Sequence, residues 1–267
     1  MTLIDWILVI AINLAIVGYG IVLARGTKTT REWFLAARGL PWWVVGLSAF
    51  ATAADAGDYV VLAGGSYSFG MSNLTTWWLG LPVGWFVVSY FIYIPMYRAR
   101  MFTNAEWLEY RFGPGVRLLS VFIQLQYRTN VLGNMAWSLF LTLSIVGGLD
   151  EFSSWGIVVG IAVLAAWYSA RGGLKSVAIT DVLQYVTMAV ASLLLWLVVW
   201  QAVGGWSGME TSLAAQDRGW MLHVGGYEEA GVPTPLVIFG CILLLVSYNA
   251  VNHSQAMRFL GARSEWD

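Results

Sequence analysis

Long apolar runs closed by short clusters of charge set the pattern of this chain. A helix needs about 20 predominantly apolar residues to cross the hydrocarbon core of a bilayer. Seven segments are candidates: Leu3 to Ala24, Leu40 to Phe69, Asn73 to Tyr97, Leu118 to Gly148, Ser154 to Ala170, Val177 to Val203 and Pro233 to Asn252. The pattern predicts an all-α integral membrane protein. No long polar linker or low-complexity tract divides the runs, so residues 1–267 read as a single transmembrane domain. The longest connection is Gly204 to Gly231. The first run lacks a basic leader and a small-residue cleavage pattern and is longer than a signal-peptide core, so it reads as a retained helix.

Charge then orients the spans. Lys and Arg are held on the cytoplasmic side of short loops. Arg25, Lys28, Arg31, Arg38, Arg98, Arg100, Arg111, Arg117, Arg171, Lys175, Arg258 and Arg263 fall on one side, twelve of the fourteen basic residues. Arg218 falls opposite, and Arg128 lies within a span. The expectation is a multi-pass protein of the cell membrane, plasma or inner, with its N-terminus outside and its C-terminus cytoplasmic.

Composition agrees with a lipid solvent. Hydrophobic residues make up 58% and charged residues 11%, against roughly 45–50% and about 25% in soluble domains. The sixteen Trp and twelve Tyr suit membrane interfaces, where an amphipathic ring has one wet end. A net charge of −1 with no basic stripe argues against a nucleic-acid partner. Cys241 is the lone cysteine, which excludes an intramolecular disulfide framework and a cysteine-based zinc site.

The chemistry concentrates in the second run, where Asp55 and Asp58 lie at mid-membrane among small residues and beside Gly57. A charge at that depth costs about 2.5–3.5 kcal/mol on insertion scales, so the pair calls for a cation, water or a partner. Gly57 and its small neighbours permit the helix to break. A break bares carbonyl oxygens, which are tolerated at that depth only along a cavity and suit a hard alkali cation. The alternative is a glycine-softened helix whose carboxylate pairs with Arg128. Arg128 sits in a polar stretch, Gln124, Gln126, Tyr127, Asn130 and Asn134, inside an otherwise apolar run. It reads either as paired with a backbone carbonyl or a neighbouring carboxylate, or as lining a solute path.

Four motifs in order carry a resemblance to a known family. They are Trp33-Phe-Leu-Ala-Ala-Arg-Gly-Leu-Pro-Trp-Trp-Val-Val-Gly-Leu-Ser48, the Asp55 segment through Gly64-Gly65-Ser-Tyr-Ser-Phe-Gly70, Glu106-Trp-Leu-Glu-Tyr-Arg-Phe-Gly113, and Gly172-Gly-Leu-Lys-Ser-Val-Ala-Ile-Thr-Asp181-Val-Leu-Gln184. Over nearly its whole length the chain resembles the sodium:solute symporters, which include bacterial sodium/sugar and sodium/proline transporters. The resemblance implies a LeuT-like inverted-repeat transporter fold: an extra N-terminal helix, a first repeat of five helices, and the first helix of a second repeat. Four further core helices are expected after it, so the chain is expected to be an N-terminal portion that cannot perform alternating access alone.

Carried over position by position, the resemblance implies sodium-binding carbonyls at Ala51 and Ala54, with Asp55 at a carboxylate important for sodium in the proline branch. It implies substrate contacts at Ala53, Asp58, Trp77 and Tyr248. Ala53 and Trp77 replace residues that carry an amide and a carboxylate in the sugar branch, and Leu245 stands where an Asn is expected, which tells against a galactose-like solute. Tyr248 matches the tyrosine closing the inner side of the pocket. Asp181 resembles a carboxylate on the sodium exit path; its other reading is an interfacial partner of Lys175 or Arg171. His253 reads as structural, and His223 lies in a polar loop.

No catalytic triad order, phosphate-binding loop or H-E-x-x-H helix occurs, so an enzyme is not expected. The leading function is a sodium-coupled symporter importing a small organic solute, whether sugar, amino acid or carboxylate, with sodium as coupling ion and no other cofactor. A membrane sensor on a transporter scaffold and a non-functional truncated transporter are the alternatives. Oligomeric state is not legible.

Overall fold

The computed structural model describes residues 2–24, 29–54, 56–74, 76–224 and 233–267. Apart from one bridge between Leu40 and Ala262, the regular structure among the described residues is helical. In chain order the α-helices are α1 (Leu3–Ala24), α2 (Thr30–Leu35), α3 (Trp42–Ala53), α4 (Ala56–Phe69), α5 (Leu81–Val88), α6 (Ile94–Arg98), α7 (Asn104–Phe112), α8 (Pro114–Leu141), α9 (Glu151–Val203), α10 (Gly205–Ala214), α11 (Thr234–Val251) and α12 (His253–Leu260). Wider π turns occupy Thr76–Gly80, Ser89–Tyr93 and Thr142–Val146 and join α5, α6 and α8 to their neighbours.

Among the described residues, five helices are long and apolar enough to cross a membrane: Leu3–Leu23, Trp77–Arg98, Pro114–Val146, Glu151–Val203 and Thr234–Val251. The pair α3 and α4 supplies a sixth, broken, span. At 1.5 Å per residue the 53 residues of α9 run about 80 Å, far beyond a core of about 30 Å. Gly173 divides it: with φ +59° and ψ −167° it leaves the helical region, so α9 contains two of the runs seen in the sequence. The Gly204–Gly231 connection is itself partly helical, containing α10 and a turn at Gly219–Leu222.

The chain forms two compact units. The first comprises Met1–Gly57, Tyr93–Tyr185 and Asn252–Asp267. Its core gathers Ala36, Leu40, Val44, Val45, Leu174, Ala178 and Ala262, which joins three segments distant in sequence. The Leu40 amide donates to the Gly261 carbonyl at 3.1 Å, and the Arg263 amide to the Leu40 carbonyl at 2.9 Å. Gly173 is required twice over, by its positive φ and by the Trp33 backbone, whose Cα would lie 2.7 Å from any added Cβ. The Trp33 indole donates to the Ala170 carbonyl at 2.8 Å and closes the same contact.

Local chemistry starts the short helices of this unit. Thr29 and Glu32 form a reciprocal capping box on α2. Thr103 accepts from the Glu106 amide at 3.1 Å to start α7, and Glu106 accepts from the Phe102 amide at 2.6 Å. Gly113, at φ +89°, ends α7, and Pro114 takes the first position of α8. The third sequence motif is therefore a capped amphipathic helix.

The second unit comprises Asp58–Ile92 and Val186–Val251. Here α5 and α11 lie close because Gly80 and Gly84 present no side chain: a Cβ on Gly84 would stand 2.9 Å from the Leu245 carbonyl carbon. The Trp85 indole donates to Asn249 Oδ1 at 2.8 Å, and the Asn249 amide donates to the Leu245 carbonyl, also at 2.8 Å. The buried amide is thereby engaged at both ends.

Candidate functional site

The second apolar run does break, and it breaks at Ala54, three residues before Gly57. Ala54 is extended (φ −109°, ψ 119°) and its amide still donates to the Phe50 carbonyl. The last carbonyls of a helix have no partner in the following turn, and Ala51 and Ala53 lie in that last turn of α3. Both, with Ala54, are half-buried. Thr52 bends its hydroxyl back to the Ser48 carbonyl at 2.8 Å. Asp55 lies outside the described residues. Alanine cannot relieve strain as glycine does, but an extended residue needs no such relief.

Six residues before the break, nearly two turns back along α3, Ser48 enters a buried polar cluster. Its hydroxyl donates to Asp181 Oδ2 at 2.6 Å, and Arg258 donates to the same oxygen through Nη2 at 2.6 Å and Nε at 3.3 Å. Arg258 Nε also reaches the Ser48 hydroxyl at 2.7 Å, and its Nη1 donates to the Ser254 carbonyl. The three groups come from α3, the second part of α9, and α12. Asp181 is thus partnered by Arg258 and Ser48, not by Lys175 or Arg171. A buried pair with its remaining donors engaged satisfies the condition under which desolvation is offset. Beside it, the Gln255 amide donates to the Ala49 carbonyl at 2.9 Å and ties α12 to the same helix.

Arg128, within α8, donates through Nη2 to Asn252 Oδ1 and to the Ser254 hydroxyl, and its guanidinium stands 5.4 Å from the Tyr127 ring. Its partners are an amide and a hydroxyl, neither the backbone carbonyl nor the carboxylate expected. Asn252 is buried and caps α12 by accepting from the Gln255 amide. His253 opens α12, and burial first, then the Arg128 charge, push its imidazole below the ordinary histidine pKa. Sequence reasoning counted Arg258 only as an orienting charge and did not single out Ser48, Asn252 or Gln255. The polar run Asn252-His-Ser-Gln255 directly after an apolar span was the available signal.

In the second unit, Asp58 is half-buried in the first turn of α4, where a carboxylate complements the helix dipole. Trp77 is half-buried in the π turn Thr76–Gly80, a geometry often found at functional positions. Tyr248 is half-buried on α11, one turn from Leu245. Leu245 is buried against Gly80 and Gly84, so at this position an apolar packing residue stands where an amide was expected.

A helical chain whose second span is interrupted, with buried polar clusters between its spans, is a multi-pass membrane protein of the LeuT-like inverted-repeat transporter class. The chain belongs to the sodium:solute symporter family, whose model matches residues 33–265. It is 31% identical over 208 residues to the sodium/glucose cotransporter of Vibrio parahaemolyticus, covering 76% of this chain and 38% of that protein. It is 30% identical over 271 residues to sodium/glucose cotransporter 1 of Oryctolagus cuniculus, covering 93% and 40%. The sodium/sialic acid symporter NanT of Aliivibrio fischeri is 29% identical over 192 residues, covering 72% and 37%. A solved structure of a substrate-bound, outward-open Na+-coupled sialic acid symporter superposes with a TM-score of 0.85 at 20% identity, covering 99% of this chain and 55% of that one. The chain thus spans about two fifths of the length of these curated relatives.

Proposed function

We propose that this chain supplies the first repeat of a sodium-coupled symporter that imports a small organic solute by alternating access. The observation that carries the reading is the interruption of α3 at Ala54 in a chain of this family. The carbonyls of Ala51 and Ala54, with Asp55, would hold sodium, because a hard cation prefers several oxygen donors and the helix end leaves such donors in place. Ala53, Asp58, Trp77 and Tyr248 would face the solute. Asp181 would lie on the route by which sodium leaves, and Arg128 on the lining of the path.

The proposed orientation places the N-terminus outside and the C-terminus in the cytoplasm, in the cell membrane, because twelve of fourteen basic residues share one side. Each sodium moving inward then gains about 2.3 kcal/mol per 100 mV of membrane potential, in addition to its concentration gradient. Binding ion and solute at one interrupted helix couples that gain to uptake. The relatives named for glucose and sialic acid make polyhydroxylated solutes the first panel to try, followed by amino acids and carboxylates.

The test is solute accumulation in vesicles carrying the full-length protein under sodium, potassium or choline gradients. Uptake that requires sodium and drops at least tenfold in Asp55→Ala supports the reading. Sodium-independent binding without accumulation would overturn it in favour of a sensor.

A further inference from the structure

The first unit holds a cavity of about 510 Å³ lined by Arg31, Arg38, Arg100 and Arg263 together with Tyr97 and Phe102. The size is that of a small-molecule site. Four guanidinium groups around one space repel one another, and no carboxylate lines it. Arg263 reaches Asp267 at 3.2 Å. Arg31 and Arg100 have no carboxylate partner among the described residues. The nearby carboxylates are engaged elsewhere: Glu32 accepts from the Thr29 amide, Glu106 from the Phe102 amide, and Glu265 from Arg98.

The arrangement is built, and not a chance gathering of surface charge. Arg38 lies with its guanidinium 4.3 Å from the Tyr97 ring centroid and donates to the Tyr97 carbonyl at 3.2 Å. The Tyr97 hydroxyl in turn donates to the Ala262 and Arg263 carbonyls, at 3.2 and 3.1 Å, which fixes the wall on which Arg38 rests. Ala36, Ala37 and Arg38 follow one another at φ +49°, +56° and +56°, and Arg100 stands at φ +58°. Residues with a Cβ avoid that region unless their surroundings hold them there, and such strain collects at ligand sites. Three of these four strained residues line the cavity. Burial acts first against the Arg38 cation, the charge and hydrogen bonding of Tyr97 favour it, and the Arg31 and Arg100 charges act against it. A bound anion would relieve both opposing effects.

We propose that this cavity binds a phosphate-bearing anion through Arg31, Arg38 and Arg100. Arginine forks match tetrahedral phosphate oxygens, two at a time. The source favoured by position is the headgroup of an anionic phospholipid: the cavity lies between the end of the span that closes at Arg98 and the start of α3, where Trp42 and Trp43 are exposed as interfacial rings are. Basic pockets between spans bind such headgroups. On the orientation proposed above, the leaflet is the cytoplasmic one.

The test uses delipidated full-length protein in neutral detergent, titrated with dioctanoyl phosphatidylglycerol, dioctanoyl phosphatidylcholine, glycerol 1-phosphate or inorganic phosphate. Thermal unfolding and native mass spectrometry give the affinity. One phosphatidylglycerol should bind saturably, at least about tenfold more weakly in Arg100→Gln and in Arg38→Gln, with phosphatidylcholine inert. Arg117→Gln, which breaks an exposed pair with Glu109 outside the cavity, should bind as the parent does. Equal binding of glycerol 1-phosphate or phosphate would support the site and assign it a soluble phosphate compound. Arg100 is exposed, so its variant should fold even if Arg38→Gln does not. Phosphatidylglycerol binding that is unchanged in Arg100→Gln, or no saturable binding of any probe, would overturn the proposal.

Discussion

Arg258 and Asp181, 77 residues apart, meet in a buried ion pair in which two guanidinium nitrogens address a single carboxylate oxygen at 2.6 and 3.3 Å. Ser48 binds both partners, so the pair joins the helix that breaks at Ala54 to α9 and α12. Removing one partner leaves the other charged, buried and uncompensated. Asp181→Leu and Arg258→Met should each lower stability by about 3–5 kcal/mol, whereas the two together should recover much of the loss. Thermal unfolding of the four proteins in detergent checks this as a double-mutant cycle. Additive losses would show that the two side chains are not coupled.

Gly173→Ala should destabilise the first unit. An alanine there must adopt a positive φ, at about 1–2 kcal/mol, and must also displace the Trp33 backbone. Gly160→Ala on the same helix is the comparison, because nothing lies within 4 Å of its added Cβ. Unfolding midpoints should fall for the first and stay level or rise slightly for the second.

Gly84→Val should separate α5 from α11, because the obstacle it meets is Leu245 backbone and not a movable side chain. Shortening Leu245 should not rescue it. A cysteine cross-linking or proteolysis assay of the α5–α11 contact would report the separation directly.

The His253 imidazole has its pKa lowered, first by burial and then by Arg128. A depressed folded value means that its contribution to stability is complete above the unfolded value, about 6.5, and is lost as pH falls through the lower folded value. Unfolding midpoints between pH 8 and pH 5 should therefore drop on acidification in the parent and drop less in His253→Gln. Equal slopes would mean that another group governs this window.

The Arg128 guanidinium serves Asn252 and Ser254 together. Arg128→Met should remove one of three donors from Asn252 Oδ1, which keeps the Gln255 amide and the Ser254 hydroxyl, and cost about 0.5–1.5 kcal/mol. If Arg128 also lines the solute path, Arg128→Lys should raise the apparent KM for solute while leaving the unfolding midpoint close to the parent. A lowered midpoint with unchanged KM would make the residue a structural strut.

Much of the architecture could be read from the chain because the bilayer imposes a length on every span. The interrupted second span was legible for a similar reason: two carboxylates and a row of small residues are costly in lipid unless the helix opens there. Its place was not, since Gly57 has the freer backbone yet Ala54 takes the extended conformation. For Asp181 the sequence leaves two readings open, a carboxylate on the sodium exit path or a partner of Lys175 or Arg171, and the partners it takes are Arg258 and Ser48, which no local spacing singles out. The two runs from Ser154 to Ala170 and from Val177 to Val203 meet at Gly173, whose positive φ turns one part of α9 against the other.

Local chemistry thus settled the class of protein and the family motifs, for each depends on residues within a turn or a span of one another. Packing alone decided that Ser48, Asp181 and Arg258 share one oxygen, that Arg128 serves Asn252, and that four arginines surround one cavity. Those partners lie tens to hundreds of residues apart, and close approaches such as that of Gly173 to the Trp33 backbone and of Gly261 to Leu174 and Leu35 belong to the packing of the first unit. No local pattern encodes a distance between helices.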